Sequence, residues 1–433
     1  MQVKKLILAL ATVIAAPSAF AVDLSTGVTA DNIIYVTGAT AQTKGIAISV
    51  GRLCGTTNPL ITLTDGLAVP VGKGWKCNTA AGTTYPNLPG VVGPFVVLKN
   101  EGGSLTAITP LRNGSTISQL DLTNCTVTGA TGTCANPLLA KPGHIGFSDV
   151  SQKIFAAKNQ LVAQTAGNTY VPDVATGSSQ GFGVVVSPAL YTLLQADQAT
   201  AGIPSLSKSQ YASLMTQTSG FWNTLLPNGT AHAALPLTLD RRSGTSGTQA
   251  SAELFFLENP CAKGPVAGSA TPVAGTAAGQ SFVDGTDTLI VKQAASSDAV
   301  LADAASATAY VIGVVSLENA QPASSWKFVA IDGVHPGTAN APEFQKKNLL
   351  NGRYAFAYET VLFKSTKAAL GAAILNNIND FSNAFVADLG VGLNLATSNG
   401  LYGDPLAPAA DFLADTGHYS RSGNECATPL SQF

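Results

Sequence analysis

Residues 235–259 read "LPLTLDRRSGTSGTQASAELFFLEN", and this stretch contains the pattern that decides the fold. Its alternating leucines predict a short strand, and the apolar run after the loop predicts a helix. Between them lies a loop of glycine and hydroxyl residues that begins with Arg241 and Arg242. The order of strand, glycine-hydroxyl loop and helix is typical of α/β proteins, in which ligands bind at the carboxyl ends of strands.

The same order recurs earlier in the chain, at residues 32–45 ("NIIYVTGATAQTKG"), 93–108 ("GPFVVLKNEGGSLTAI") and 144–155 ("HIGFSDVSQKIF"). Strands that alternate with helices over a chain of 433 residues predict an α/β fold with mostly parallel sheets, divided into two domains. Segments rich in Gly, Pro, Thr and Asn, such as residues 52–94, are predicted to be irregular loop insertions.

The first 21 residues have the features of a secretory signal peptide. Lys4 and Lys5 precede an apolar stretch, and Ala19-Phe20-Ala21 forms an A-x-A cleavage signal. We therefore expect a periplasmic or secreted protein. The sequence shows neither a cysteine that could carry a lipid anchor after that site nor a later apolar run long enough to span a membrane, so no membrane insertion is expected.

Charge and cysteine usage exclude several classes of function. The net charge is -2, so nucleic acid is not an expected partner, and charged residues make up 11% of the chain against about 25% in an average soluble protein. Six cysteines in an exported chain predict disulfides. About fifteen pairings are open, and we favour sequential pairing: Cys54 with Cys77, Cys125 with Cys134, and Cys261 with Cys426. The cysteines form no C-x-x-C pair and the histidines are scattered, so neither a metal nor another cofactor is expected.

The glycine-hydroxyl loops could bind a compact anion. "GATAQ" (38–42) and "SGTSGTQ" (243–249) place small residues where a helix begins and its N–H groups have no partner. Arg242 would add a planar, bidentate donor. Each loop read alone is equally compatible with an ordinary Ser or Thr helix cap.

Two catalytic motifs are excluded by their context. Ser179 lies in "GSSQG", which has the form G-x-S-x-G, but an apolar strand follows it where a nucleophile elbow needs a helix. "GLAVPVGKG" (66–74) has the wrong spacing and the wrong last residue for a phosphate-binding P-loop. We therefore expect a protein that is not an enzyme.

An ordered set of motifs resembles the periplasmic phosphate-binding proteins of ABC phosphate importers. The motifs are "GATA" (38–41), "GGS" (102–104), "IGFSD" (145–149), "FGVVV" (182–186), "LSKSQYASLMTQTSGFWN" (206–223), "RRSGTSGT" (241–248), "VIGVVS" (311–316) and "NGRYAF" (351–356). The resemblance implies a two-lobed periplasmic-binding-protein-like fold that closes over an anion. Lobe 1 would comprise residues 22–165 and 326–433, and lobe 2 residues 166–325.

The resemblance also implies a set of residues that bind inorganic phosphate: Thr40, Ala41, Ser104, Asp149, Arg242, Ser246, Gly247 and Thr248. Asp149 would select the anion, because a buried carboxylate can accept a hydrogen bond from protonated phosphate but not from sulfate. An ordinary helix cap is the alternative role for Asp149. The family has an aspartate two residues after the arginine, and here that position is Gly244. Arg242 would then depend on Asp240, or be replaced by Arg241.

The expected function is that of a monomeric solute-binding protein that delivers phosphate or a related oxyanion to an ABC permease. The alternative is a secreted structural or adhesive protein that keeps the fold without high-affinity anion binding. Low charge, the cysteine-rich insertions and Gly244 favour that alternative.

Overall fold

The computed structural model describes residues 21–55, 59–67, 71–134, 138–261, 272–319, 325–337, 346–396, 398, 400–405 and 415–431. The predicted signal peptide lies outside the described residues, apart from Ala21.

The strands of the first half are β1 (Ala21–Val22), β2 (Ile33–Ala39), β3 (Leu60–Thr64), β4 (Gly72–Cys77), β5 (Thr84–Tyr85), β6 (Leu88–Val92), β7 (Phe95–Gly102), β8 (Thr116–Gln119), β9 (Cys125–Thr128), β10 (Thr131–Cys134), β11 (Leu139–Pro142), β12 (Ile145–Ser148) and β13 (Tyr170–Val186). Those of the second half are β14 (Ser205–Leu206), β15 (Leu237–Arg242), β16 (Gln280–Asp284), β17 (Asp287–Ala294), β18 (Tyr310–Ser316), β19 (Lys327–Phe328), β20 (Ala330–Ile331), β21 (Ala357–Ser365), β22 (Leu401–Gly403), β23 (Tyr419–Ser420) and β24 (Leu430–Ser431).

The helices are α1 (Thr43–Cys54), α2 (Thr109–Asn113), α3 (Gln152–Ala157), α4 (Pro188–Asp197), α5 (Lys208–Thr216), α6 (Phe221–Leu225), α7 (Gly247–Leu257), α8 (Ser297–Ala304), α9 (Lys347–Leu350) and α10 (Ala372–Leu389). Two short 3₁₀ turns, Thr40–Gln42 and Ser104–Ala107, also belong to the candidate site.

Two sets of parallel strands form the centre of the fold. In the first set β2 pairs in parallel with β7 and β12, and in the second β15 pairs in parallel with β17 and β18. Both sets belong to one large hydrogen-bonded sheet. Parallel strands of this kind end at one edge, so each set presents a cluster of strand-to-helix loops.

The long strand β13 connects the two sets. Its first part, from Tyr170 to Gly181, pairs antiparallel with β21, and its last part, from Phe182 to Val186, pairs antiparallel with β18. In turn, β21 pairs with β12 of the first set. The chain therefore crosses from the first set to the second along β13 and returns along β21. The exact lobe boundaries given above stay a prediction.

The predicted α/β class is confirmed, but the sheet is mixed and not mostly parallel. Antiparallel pairs come from the crossing strands and from hairpins, of which one lies in the segment predicted to be irregular. There, β3 and β4 form an antiparallel hairpin that extends the sheet from β7. The density of Gly, Pro and Asn around these short strands hid them from the sequence pattern.

All three disulfides have the sequential pairing that we favoured from the sequence: Cys54–Cys77, Cys125–Cys134 and Cys261–Cys426. The second closes the β9–β10 hairpin. The third joins the end of α7 to the C-terminal segment, where Glu425 accepts a hydrogen bond from the Ser151 backbone N–H at 2.6 Å. This segment is thus fixed both to α7 and to the loop after β12.

Two short helices of the second half are defined by the residues that precede them. Ser207 caps α5 in a full capping box with Gln210, and the helix ends at Thr216. Gly220, with φ +66°, is the N-cap residue of α6. Ser179 lies within the continuous strand β13, which agrees with its exclusion as a nucleophile.

Candidate anion site

The first half of the site lies at the edge where β2, β7 and β12 end. Ala39 pairs with Gly102, and Gly38 pairs with Phe147, so the three carboxyl ends are neighbours. The turns that follow begin at Thr40 and Ser104, and Asp149 follows β12 directly. Parallel pairing therefore brings together residues that are more than a hundred positions apart in the chain.

Gly38 allows these loops to approach one another. Its φ is +117°, which L side chains rarely adopt, and a β-carbon there would overlap the Phe147 carbonyl oxygen. The motif "GATA" thus has a local structural reason for its glycine. Any larger residue would push β2 away from β12 beside the site.

Asp149 is held by two polar neighbours. Its backbone N–H donates to Ser104 Oγ at 3.0 Å, and the Gln42 side-chain amide donates to Asp149 Oδ1 at 3.2 Å. All three side chains are buried, and Asp149 is only 1% exposed. The carboxylate is therefore fixed in position and removed from water, and it does not serve as the side-chain cap of α3, because Ser151 takes that role.

The second half of the site lies where β15 ends and α7 begins. Ser246 caps α7 by accepting a hydrogen bond from the Gln249 backbone N–H, and Gly247 and Thr248 form the first helical positions. The N–H groups of such a first turn have no partner within the helix and carry a partial positive charge. They are suited to binding an anion.

The two halves are in direct contact. The Leu105 backbone N–H donates to the Thr245 carbonyl oxygen at 3.0 Å. A β-carbon at Gly247 would overlap Ser104 Oγ and lie 2.6 Å from Asp149 Oδ2. The start of α7 therefore faces Ser104 and Asp149 closely, and it needs a glycine to do so.

Arg242 brings a buried cation to this junction. It is 3% exposed, and its guanidinium donates to Ser297 Oγ at 2.9 Å and to the Ala295 carbonyl oxygen at 3.2 Å. Burial lowers the pKa of Arg242 to about 10, and the Asp149 carboxylate is the largest influence that opposes this shift. Arg242 is thus charged at neutral pH and interacts electrostatically with Asp149.

These contacts answer the question raised by Gly244. The Ser297 hydroxyl at the start of α8 and the Ala295 carbonyl just before it hold the guanidinium, where the resembled family uses a carboxylate. Asp240 makes no hydrogen bond to the guanidinium, although its charge is among those that oppose the fall in the pKa of Arg242. Arg241 does not replace Arg242 either: successive side chains of a strand point to opposite faces, and Arg241 donates to the Val273 carbonyl oxygen.

Burial also changes the proton affinity of Asp149. Loss of solvation raises the pKa of Asp149 to about 6, although the Gln42 amide, the Arg242 charge and the Ser104 hydroxyl all favour the ionised form. The carboxylate is therefore mostly ionised above that pH and mostly protonated below it. A change of pH within the physiological range therefore changes which of the two forms predominates.

The remaining predicted residues surround this centre. Ala41 is buried in the turn after β2, and Thr40 lines a neighbouring cavity together with Gly102 and Ser297. Thr248 is buried and lines a small cavity with Asp240 and Arg242. The contacts described above bring Ser104, Asp149, Ser246 and Gly247 together, with Arg242 beside them. A phosphate-binding role for each of the eight stays a prediction.

Comparison with protein-family models and with curated proteins gives no match. Solved structures give distant likenesses over most of the chain. One is a phosphate ABC transporter substrate-binding protein with bound phosphate, from Clostridium perfringens. It is 13% identical to this chain with a TM-score of 0.44, and the match covers 85% of this chain and 98% of that chain.

Two further likenesses are PstS from Borrelia burgdorferi and an ABC-type phosphate transport receptor from Vibrio cholerae. The first is 11% identical with a TM-score of 0.35 and covers 86% of this chain and 98% of that chain. The second is 12% identical with a TM-score of 0.36 and covers 81% of this chain and 93% of that chain. They are proteins of the kind that the motifs resemble, but the likeness is distant, so the ligand of this chain has to be inferred from its own contacts.

Several polar residues of the site were not predicted from the sequence. Gln42 contacts Asp149, Ser297 and Ala295 hold Arg242, and Lys99 forms a buried ion pair with Glu101 at 2.6 Å. The run "SSD" at 296–298 is a helix-start signal that could have identified the loop before α8. Nothing in the sequence shows that Arg242 would reach it.

Within the described ranges, no helix has the length and apolar character needed to cross a membrane. The same part of the chain contains no group of three or more His, Cys, Asp or Glu side chains that could hold a metal ion.

Ser297 offers a test of how Arg242 is held. For an anion bound beside Arg242, we expect Ser297→Ala to lower the affinity by up to about tenfold, because the guanidinium loses one of its two fixed acceptors and can tilt away from the anion. Calorimetric titration of the purified variant checks this. Ser213→Ala, in the middle of α5 and far along the chain from these loops, is the matched control. Equal affinities for both variants would show that Ser297 does not position Arg242.

Proposed function

We propose that this chain is an extracytoplasmic solute-binding protein that binds inorganic phosphate, or a related oxyanion, between the loops of its two parallel strand sets. The observation that carries the proposal is a buried carboxylate, Asp149, that faces the N-terminus of α7 and lies beside the buried Arg242. Helix N–H groups and a guanidinium attract an anion, and the carboxylate requires that the anion carry a proton.

The proposed ligand contacts come from both parallel strand sets. Thr40, Ala41, Ser104 and Asp149 belong to the first set, and Arg242, Ser246, Gly247 and Thr248 to the second. An anion that contacts both strand sets would bind more tightly to the closed arrangement and would therefore favour it. The closed form would then be what an ABC permease recognises. In this role the protein performs no covalent chemistry and acts as a periplasmic or secreted monomer.

The first experiment measures the ligand that the protein carries. Native protein is purified in phosphate-free buffer and denatured, and the released phosphate is determined colorimetrically. We expect about one phosphate per chain, as one site of this kind holds one anion. Refolded, ligand-free protein is then titrated with phosphate and with sulfate, and binding of phosphate with rejection of sulfate is the expected result.

The opposite outcome is equally specific. Protein that releases no phosphate, gives no heat on titration and elutes as a multimer would overturn the proposal and favour the structural or adhesive alternative. The anchoring of Arg242 by Ser297 and Ala295 removes one argument for that alternative, because the guanidinium is held without a carboxylate at position 244.

A further inference from the structure

Residues 415–431 form a segment that is anchored to β21, the strand along which the chain returns from the second strand set to the first. We call this segment the C-terminal strap. On β21, the Glu359 carboxylate accepts a hydrogen bond from the Ser420 hydroxyl. It also accepts from the backbone N–H groups of Arg421 and Gly423, at 2.6 and 2.7 Å. The strap is therefore fixed to one of the two strands that connect the halves of the protein.

From β21 the C-terminal strap reaches both halves of the candidate anion site. Cys426 forms a disulfide with Cys261, just beyond the end of α7. The neighbouring Glu425 is 8% exposed, and its carboxylate accepts a hydrogen bond from the Ser151 backbone N–H at 2.6 Å. Ser151 caps α3 and follows Asp149 closely in the chain. Two adjacent residues of the strap thus join the helix of the second half to the loop of the first half.

The helix α7 contacts the same part of the first half at two further points. At its start, Gly247 lies against Ser104 and Asp149. Near its middle, the Glu253 carboxylate forms an ion pair with Lys158 Nζ, at the end of α3, at 2.5 Å. The two side chains of this pair are only 6% and 10% exposed. α7 is therefore linked to the loop and helix that follow β12 at its start, at its middle and beyond its end.

The disulfide differs from the other two links because it is covalent. Asp149 is buried, so an anion beside it would enter or leave only when the two halves separate. The contact at Gly247 and the ion pair between α3 and α7 can break and re-form as α7 moves. The disulfide keeps the end of α7 within reach of Ser151 throughout. A covalent link of this kind reduces the number of arrangements that the joined segments can adopt.

We propose that the C-terminal strap limits the separation of the two halves of the anion site, and that it thereby slows both entry and release of the anion. Glu425 is a positioning residue in this device, since it holds the Ser151 N–H and, through it, the loop that carries Asp149. The effect on anion exchange rests on the proposed function, because phosphate is the anion that is followed. The limit on opening depends on no ligand.

The first test measures the separation of the two halves in the full, ligand-free chain. The Leu105 N–H donates to the Thr245 carbonyl oxygen across the two halves, so its hydrogen exchange, followed by NMR, reports the opening of this contact. The strap variant replaces both cysteines of the third disulfide, Cys261→Ser with Cys426→Ser. We expect its Leu105 amide to exchange at least about tenfold faster than in the wild type. The Arg112 amide, which is bonded within the first half, should be unchanged.

The matched control is Cys125→Ser with Cys134→Ser, because it removes a different disulfide, which closes the β9–β10 hairpin. In this control the Leu105 amide should exchange at the wild-type rate. An unchanged rate in the strap variant would overturn the proposal. Equal acceleration in both variants would also overturn it, because the effect would then come from a general loss of stability.

Glu425 is tested by a pair of substitutions. Glu425→Ala should accelerate exchange of the Leu105 amide, because the Ser151 N–H loses its acceptor. Glu425→Gln should restore the wild-type rate, since its amide oxygen can still accept from that N–H. A wild-type rate in Glu425→Ala would overturn the positioning role of Glu425.

The second test measures phosphate exchange by stopped-flow fluorescence. We expect the strap variant to bind and to release phosphate at least about tenfold faster than the wild type, with a smaller change in affinity, because entry and release both require opening. A variant that was merely destabilised would not gain in association rate.

The outcomes separate the two proposals. A wild-type chain that binds no phosphate would overturn the proposed function, and exchange of the Leu105 amide would still decide the role of the strap. Phosphate binding at wild-type rates in the strap variant would overturn the strap proposal alone.

Mild reduction of the folded wild type replaces the double substitution if that variant fails to fold. Cys426 is exposed and Cys261 is half-buried, whereas the cysteines of the other two disulfides are buried, so a dithiol reductant reaches the strap disulfide first. The S–S bond breaks, each cysteine becomes a thiol, and the reductant is oxidised to its cyclic disulfide. Faster exchange of the Leu105 amide after reduction is the expected result, and unchanged exchange would overturn the proposal.

Discussion

Arg242→Met is expected to weaken phosphate binding about 100-fold at neutral pH. Hydrogen bonds between charged partners contribute about 1.5–3 kcal/mol each, and a tenfold change in affinity corresponds to about 1.4 kcal/mol. The guanidinium is buried and keeps its charge, with a pKa of about 10. Among the cations, it has the largest effect on the pKa of Asp149. Its removal would leave the anion beside a carboxylate without the cation that acts most strongly on Asp149. Calorimetric titration with phosphate measures the loss.

Arg241→Met is the natural control for this experiment. The two arginines are adjacent in β15, but Arg241 points to the opposite face and donates to the Val273 carbonyl oxygen. We expect its affinity for phosphate to be unchanged. Equal losses in both variants would mean that the effect is one of folding, and an unchanged affinity in Arg242→Met would place the anion elsewhere. Thermal melting of both variants shows whether an equal loss of affinity comes from misfolding or from a binding defect.

Much of the parallel framework was predictable from the sequence, for a local reason. Short apolar strands followed by glycine-hydroxyl loops specify strand-to-helix units wherever they occur, and β2, β7, β12 and β15 each follow this pattern. Parallel pairing then places the loop residues at one edge without further information. The resemblance to phosphate-binding proteins named Ser104 and Asp149 together, and parallel pairing explains why these residues, 45 positions apart, are found in hydrogen-bond contact.

Contacts that depend on long-range geometry could not be predicted in the same way. Ser297 meets Arg242 across 55 positions, and Lys44 reaches the Glu318 carbonyl oxygen across 274. Neither pair has a spacing or motif that singles it out. Gly244 gave a misleading signal for the same reason: the sequence showed that a carboxylate was missing, but not that another loop would supply acceptors for the guanidinium.

In the proposed function Asp149 selects the anion, so its replacement is expected to change selectivity more than affinity for phosphate. At about pH 8 the wild-type carboxylate is ionised and repels sulfate, and such a juxtaposition of like charges costs several kcal/mol. Asp149→Asn presents an amide that can donate to a fully ionised oxyanion. We expect sulfate affinity in this variant to rise about 100-fold or more. Parallel titrations with phosphate and sulfate measure the change.

The pH dependence identifies the group responsible. Because burial raises the pKa of Asp149 from 3.8 to about 6, the folded protein holds this proton more tightly than the unfolded chain. Lowering the pH through about 6 protonates the carboxyl group, which can then donate to sulfate, so sulfate binding by the wild type should appear at about pH 5.

In Asp149→Asn, sulfate binding should show no such transition.

The same shift in pKa affects stability. Above about pH 6 the ionised carboxylate destabilises the ligand-free fold by about 3 kcal/mol, and this cost disappears as the pH falls towards 3.8, the pKa of Asp149 in the unfolded chain. Asp149→Asn should therefore melt at a higher temperature than the wild type at about pH 8, but not at about pH 4. Sulfate affinities that do not depend on pH in the wild type would contradict the role assigned to Asp149. Asp298→Asn, an exposed acid in the first turn of α8, controls for the loss of one negative charge near the cleft.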